Sequence, residues 1–169
     1  MKILGYSAEG FDDGRLELDQ IIISPEGDRF IGECEGKDTK DIDVSKFRQL
    51  QDALNEDFAR EEVSEKAYGI LFGNPQRLTS PFERTLDFTD KCKRGAEREK
   101  IALIRTADLF NAAQYVTEFK DEAYKVQCRQ AIREQLGSVV VFPAHESVEQ
   151  PIIEVVQDTS KEVDGSESI

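Results

Sequence analysis

The chain has 169 residues, 35 acidic against 22 basic, for a formal net charge of −13; hydrophobic residues make up 38% and charged residues 34%. That length suits one soluble globular domain with a sizeable core. No apolar run approaches the roughly 20 residues of a membrane-spanning helix, and the acidity speaks against a broadly basic nucleic-acid surface, so such a ligand needs a local basic patch or another chain.

Residues 1–15, MKILGYSAEGFDDGR, are too short and Gly-rich for a stable helix and lack the apolar core of a signal peptide. Residues 16–37, LELDQIIISPEGDRFIGECEGK, read as two β runs joined by a Ser-Pro-Glu-Gly-Asp turn. A turn about Glu26 pairs Ile23 with Arg29 and sets Asp19 opposite Glu33. Alternation then sends Glu17, Asp19, Glu33 and Glu35 to one face with Ile21, Ile23 and Ile31. Leu16, Leu18, Ile22 and Phe30 take the other. Opposed carboxylates repel, and such a cluster persists where water, a proton or a cation compensates it. The bland alternative is solvated surface in a chain that is acidic throughout. With both faces partly apolar, the acids fall at the end of a covered sheet, where sites are built.

A polar turn at 36–40 leads to a helix capped by Asp43 or Ser45 and running to about residue 62. Phe47, Leu50, Leu54 and Phe58 are its buried stripe. Residues 67–72 predict a buried central strand, and the stretch after it carries Pro75 and Pro81. Thr89 or Asp90 caps the next helix, with Cys92 and Ala96 inward; Lys91, Lys93, Arg94, Arg98 and Lys100 read as a solvated face, with contact to a phosphate backbone as the alternative. Residues 101–104 predict another buried strand. Thr106 is expected to cap a helix to about 119, and Asp121 opens a further helix that Gly137 stops. Residues 139–142 read as a strand broken by Pro143, residues 152–156 as an edge strand or docking segment, and 157–169 as a polar, acidic, flexible tail.

Strands alternating with helices after an initial hairpin predict one α/β domain over residues 1–156, a mixed central sheet with helices on both faces. Cys34, Cys92 and Cys128 form no CxxC pair and read as reduced thiols, which predicts a cytoplasmic protein with no membrane partner. The single histidine, His145, excludes a histidine-based metal cluster and reads as a loop residue.

Asp19, then Glu33-Cys34-Glu35 on the neighbouring strand, then an amphipathic helix and a strand running into Gly73-Asn74, resembles the PD-(D/E)XK nuclease superfamily. The resemblance spans residues 16–115 and is to the C-terminal portion of bacterial nuclease-like proteins. It implies a restriction-endonuclease-like fold whose first helix is missing or truncated, leaving one side of the sheet exposed for a homodimer partner or a larger parent protein. It also implies Mg²⁺- or Mn²⁺-dependent hydrolysis of DNA phosphodiesters. Asp19, Glu33 and the backbone carbonyl of Cys34 would be metal ligands, a set that suits a hard cation keeping several waters. Glu35 stands where the family usually has lysine; Lys37 on the strand or Lys46 on the next helix are the candidate substitutes, each also readable as solvated. Gln49 and Gln51 resemble helix residues that touch phosphate. Glu35 in the lysine position and the absent helix equally fit a degenerate domain acting as a dimerisation or docking module, and an unrelated α/β protein with incidental acids remains the third reading.

Overall fold

Pro25 and Gly27 close the hairpin turn: Gly27 sits at φ +96°, and Ser24 N–H donates to the Asp28 carbonyl at 2.9 Å. The turn joins strands β2 (Glu17–Ile23) and β3 (Arg29–Gly36) with Ile23 opposite Arg29, the register expected from the sequence. The computed structural model describes residues 1–12, 14 and 16–145; the segments at 152–156 and 157–169 lie outside the described residues.

Three more strands complete the sheet: β1 (Ser7–Asp12), β4 (Tyr68–Asn74) and β5 (Ala102–Arg105). The order is β1-β2-β3-β4-β5, antiparallel from β1 to β3 and parallel from β3 to β5. Helices α1 (Val44–Phe58) and α2 (Asp90–Glu99) cover one face, and α3 (Thr106–Phe119) and α4 (Glu122–Glu134) the other. The architecture is thus a mixed α/β sheet flanked on both faces, as predicted. Glycine and apolar residues from Gly69 to Gly73 are all buried, as expected of a parallel strand covered on both sides.

Residues 1–15 hold a surprise. Their described part, residues 1–12 and 14, contains no long helix but supplies β1 and a short 3-10 turn, Lys2–Leu4, so the sheet gains an edge strand that composition hid. The face expected to lie bare is covered: Leu4, Tyr6, Ile22, Phe30, Ile70 and Ile104 are buried with Val116, Tyr124, Cys128 and Ile132 of α3 and α4. Two late helices do the covering that an N-terminal one was expected to do.

A bulge corrects the predicted division of faces. Glu9 pairs with Ile21 but Phe11 pairs with Leu18, so Gly10 alone opposes Asp19 and Gln20. The extra residue reverses alternation along β2. Leu16 and Leu18 therefore join Ile31, Phe47 and Leu50 under α1, not Ile22 and Phe30 on the far face, while Glu17 is exposed.

Smaller departures have local causes. Helix α1 stops at Phe58, which is exposed, because Asp57 is the last side chain turned toward β3. Thr106 does not cap α3; its hydroxyl donates to the Gly73 carbonyl at 3.0 Å and ties the helix start to β4. Val139 makes a single parallel bridge to Leu103 where a strand was expected. His145 is in a loop, stacked on Tyr115 at 4.3 Å.

Asp43 does cap α1. Its Oδ1 accepts from the Ser45 hydroxyl at 2.5 Å and from the Ser45 N–H at 2.8 Å, and these hydrogen bonds hold its carboxyl at about 2. Asp43→Ala should cost about 1 kcal/mol in urea unfolding at pH 7. Because the folded value is depressed, that contribution is complete above the ordinary 3.8 and fades as pH falls toward 2, so the two proteins should converge in acid.

Candidate active site

The site forms where β2 leaves the sheet. The β2–β3 ladder ends at Gln20 opposite Gly32, so the next residues of β3 have lost their partners on that side. Asp19, displaced by the bulge, fills the vacancy: its Oδ2 accepts the Cys34 N–H at 3.3 Å. In an extended strand a residue's N–H and C=O point to the same edge, so the Cys34 carbonyl turns toward Asp19 as well.

Glu33 faces α1 and is 1% exposed. Burial first, and then the adjacent Asp19 carboxylate, push its carboxyl above the usual range; Lys46 opposes the shift. The Asp19 carboxylate, one residue along at Cys34 N, is thus close enough for its charge to act on Glu33. Lys46 Nζ, from the first turn of α1, is 3.3 Å from Glu33 Oε2. Two carboxylates, a lysine and a strand-end peptide thus converge. An open groove of about 440 Å³ runs from Glu33 along α1, with Ser45, Arg48, Gln49 and Asp52 on its wall.

Glu35 points to the same face but joins a different set. Lys37 Nζ lies 2.9 Å from its Oε1 and 3.2 Å from Asp43 Oδ2, and Ser45 Oγ lies 3.4 Å away. The Glu35 side chain is 8% exposed, and its Oε2 is buried without a hydrogen-bond partner among the described residues. Lys37 therefore serves Glu35 and the α1 cap, whereas Lys46 reaches Glu33. Gln51 lines a separate hollow with Lys66 and Glu99, away from Glu33. The α2 basic group is surface: Lys93 pairs with Asp87 at 3.6 Å and Arg98 with Glu99 at 2.7 Å.

Sequence reading weighted Lys46 toward a solvated helix lysine, yet a signal was present. Lys46, Leu50, Ala53 and Asp57 recur at helical spacing, and Leu50, Ala53 and Asp57 are buried. Since α1 runs back along β3 after a short connection, its first turn comes to rest beside the strand's end, where Glu33 is.

Among the described residues no three His, Cys, Asp or Glu side chains converge as a ready-made metal cage. Mg²⁺ asks for less, one or two carboxylates with the remaining positions held by water. The Asp19–Glu33 pair, mutually repelling and backed by a turned-in carbonyl, fits that smaller requirement.

No family model matches the chain, and no curated protein matches it. The crystal structure of a repair endonuclease from Pyrococcus abyssi is similar over 60% of this chain and 39% of that one, at 17% identity and a TM-score of 0.41. The chain spans less than half the length of that neighbour.

Proposed function

We propose that the protein is a metal-dependent nuclease of the PD-(D/E)XK type that hydrolyses DNA phosphodiester bonds. The observation that carries this reading is the convergence of Asp19 and Glu33 with a lysine 3.3 Å from Glu33. Asp19, Glu33 and the Cys34 carbonyl would hold Mg²⁺ or Mn²⁺, which supplies charge neutralisation at the phosphoryl oxygens and a hydroxide near neutral pH. Lys46 takes the part that lysine plays two residues later on the strand in the usual pattern: it favours the ionised form of Glu33 and offers Nζ protons to a water or phosphate oxygen. Glu35, held by Lys37 and Ser45, braces the strand end beside the groove.

The test is calorimetry with Mn²⁺ on wild type and Asp19→Ala, followed by plasmid nicking with Glu33→Gln as control. Wild type should bind the ion and nick, and both variants should lose nicking. Identical titrations for wild type and Asp19→Ala would remove the metal site and this function with it. A second reading draws on the absence, among the described residues, of a three-carboxylate cage: a domain of the same architecture that binds a cation weakly, cuts nothing and serves as a docking module. Ion binding without cleavage of any DNA substrate selects it.

A further inference from the structure

Side chains alternate along β3, so the strand that turns Glu33 and Glu35 toward α1 turns Cys34 to the opposite face. There it borders a cavity of about 780 Å³ between the N-terminal segment, β4 and the start of α3. The cavity lies within the size range of small-molecule sites. Its walls are apolar at Ile3, Phe72 and Leu109 and polar at Gln20 and at one edge of Glu35, with Lys2 and Arg77 beside them.

We propose that this cavity receives one unpaired nucleotide of the DNA strand, its base against Phe72 and Leu109 and its phosphate at Lys2 and Arg77. The assignment rests on the nuclease reading of Asp19 and Glu33, and it makes an unpaired stretch of DNA the preferred substrate. Three observations support it. The lining joins an apolar slot to a side-chain amide, the combination that grips a flat ring with a hydrogen-bonding edge. The Gln20 amide, half-buried, makes no hydrogen bond among the described residues and so is available for that edge. Arg77 is tethered through Nε to Asp38, with Nη1 beside Gly36, where a phosphate leaving the end of β3 would pass.

Charge separates this occupant from a second copy of the chain. A protein of net charge −13 repels its own kind, whereas Lys2 and the outer nitrogens of Arg77 suit a single phosphate, the Glu35 carboxylate of the lining being neutralised by Lys37. Continuity with the candidate active site supplies the rest, because Cys34 is the residue between Glu33 and Glu35. A strand crossing the end of β3 can present one phosphate to the carboxylates and a neighbouring base to the far face.

The experiment uses the full chain in EDTA, so that cleavage does not intervene. The probes are a single-stranded oligonucleotide carrying one 2-aminopurine and its fully paired duplex, read by fluorescence and anisotropy. Wild type should bind the single strand at least about 10-fold more tightly than the duplex. Ala8→Trp, which fills the cavity, and Gln20→Ala, which removes the amide, should lose that preference with unchanged circular dichroism. Equal affinity for both probes, or a preference that survives both cavity variants, overturns the proposal, as does a cavity variant that changes only the oligomeric state. Single-strand preference in a protein that cuts nothing with any metal supports the cavity and overturns the nuclease reading. Intact cleavage with cavity variants indistinguishable from wild type does the reverse.

Discussion

Lys46→Met is expected to lower the proposed metal-dependent DNA cleavage by about 10²–10⁴-fold, the usual worth of a positioned proton-transfer group, while Lys37→Met changes it little. The difference comes from partners. Lys46 Nζ lies 3.3 Å from Glu33, a carboxyl that burial and Asp19 drive toward its neutral form, whereas Lys37 is engaged by Glu35 and Asp43. Removing Lys46 weakens the ionised form of a proposed metal ligand and deletes the donor nearest to it. Kinetics on the folded variant should show the loss in kcat rather than KM, with partial rescue by Lys46→Arg. A rate loss that merely tracks the unfolded fraction in urea titrations would make the lysine a structural clamp.

Asp57→Ala should be the most damaging single change outside the site, costing about 3–5 kcal/mol. Asp57 is 0% exposed and receives both arms of Arg29, at 2.6 and 2.7 Å, with Arg60 at 3.3 Å. The substitution strands a guanidinium that is three-quarters buried, and it unpins the last turn of α1 from the start of β3. Urea midpoints measure the loss. Replacing both partners, Arg29→Met with Asp57→Leu, should recover most of it, because an apolar pair of similar volume has no charge to desolvate. A loss below about 1 kcal/mol for Asp57→Ala would place the pair with ordinary surface ion pairs.

These two ion pairs belong to one pattern. Along β3, Arg29, Ile31 and Glu33 share a face; along α1, Lys46, Leu50, Ala53 and Asp57 share a stripe. Because the helix runs antiparallel to the strand, each end matches opposite charges across an apolar middle. That arrangement selects direction and register as well as contact, since a reversed helix would oppose Arg29 to Lys46 and Glu33 to Asp57. Part of the candidate site is thus also an alignment device of the fold, which is why cleavage and stability have to be read separately for Lys46.

Local chemistry by itself determined much of this protein. Pro25 and Gly27 dictated the hairpin and its register; Asp43, Thr89 and Asp121 marked three helix starts; continuous apolar runs marked the two parallel strands. Each is a signal confined to a few adjacent residues, so it can be read without knowing the partner. The same turn geometry set Asp19 opposite Glu33, but the ladder ends at Gln20 and Gly32, and the displaced Asp19 side chain meets the Cys34 N–H instead.

What tertiary structure alone decided involves residues far apart in the chain. Strand β1 comes from a Gly-rich segment of weak propensity and exists because β2 offers an edge to pair with. The bulge at Asp19 and Gln20 appears only when β1 is laid beside β2, and it sends Leu16 and Leu18 to the other face. The division of labour between Lys37 and Lys46 was likewise invisible, because it depends on how α1 folds back over β3. Burial then separates Glu33 from the many other carboxylates of an acidic chain, and that burial is created by elements more than ten residues away.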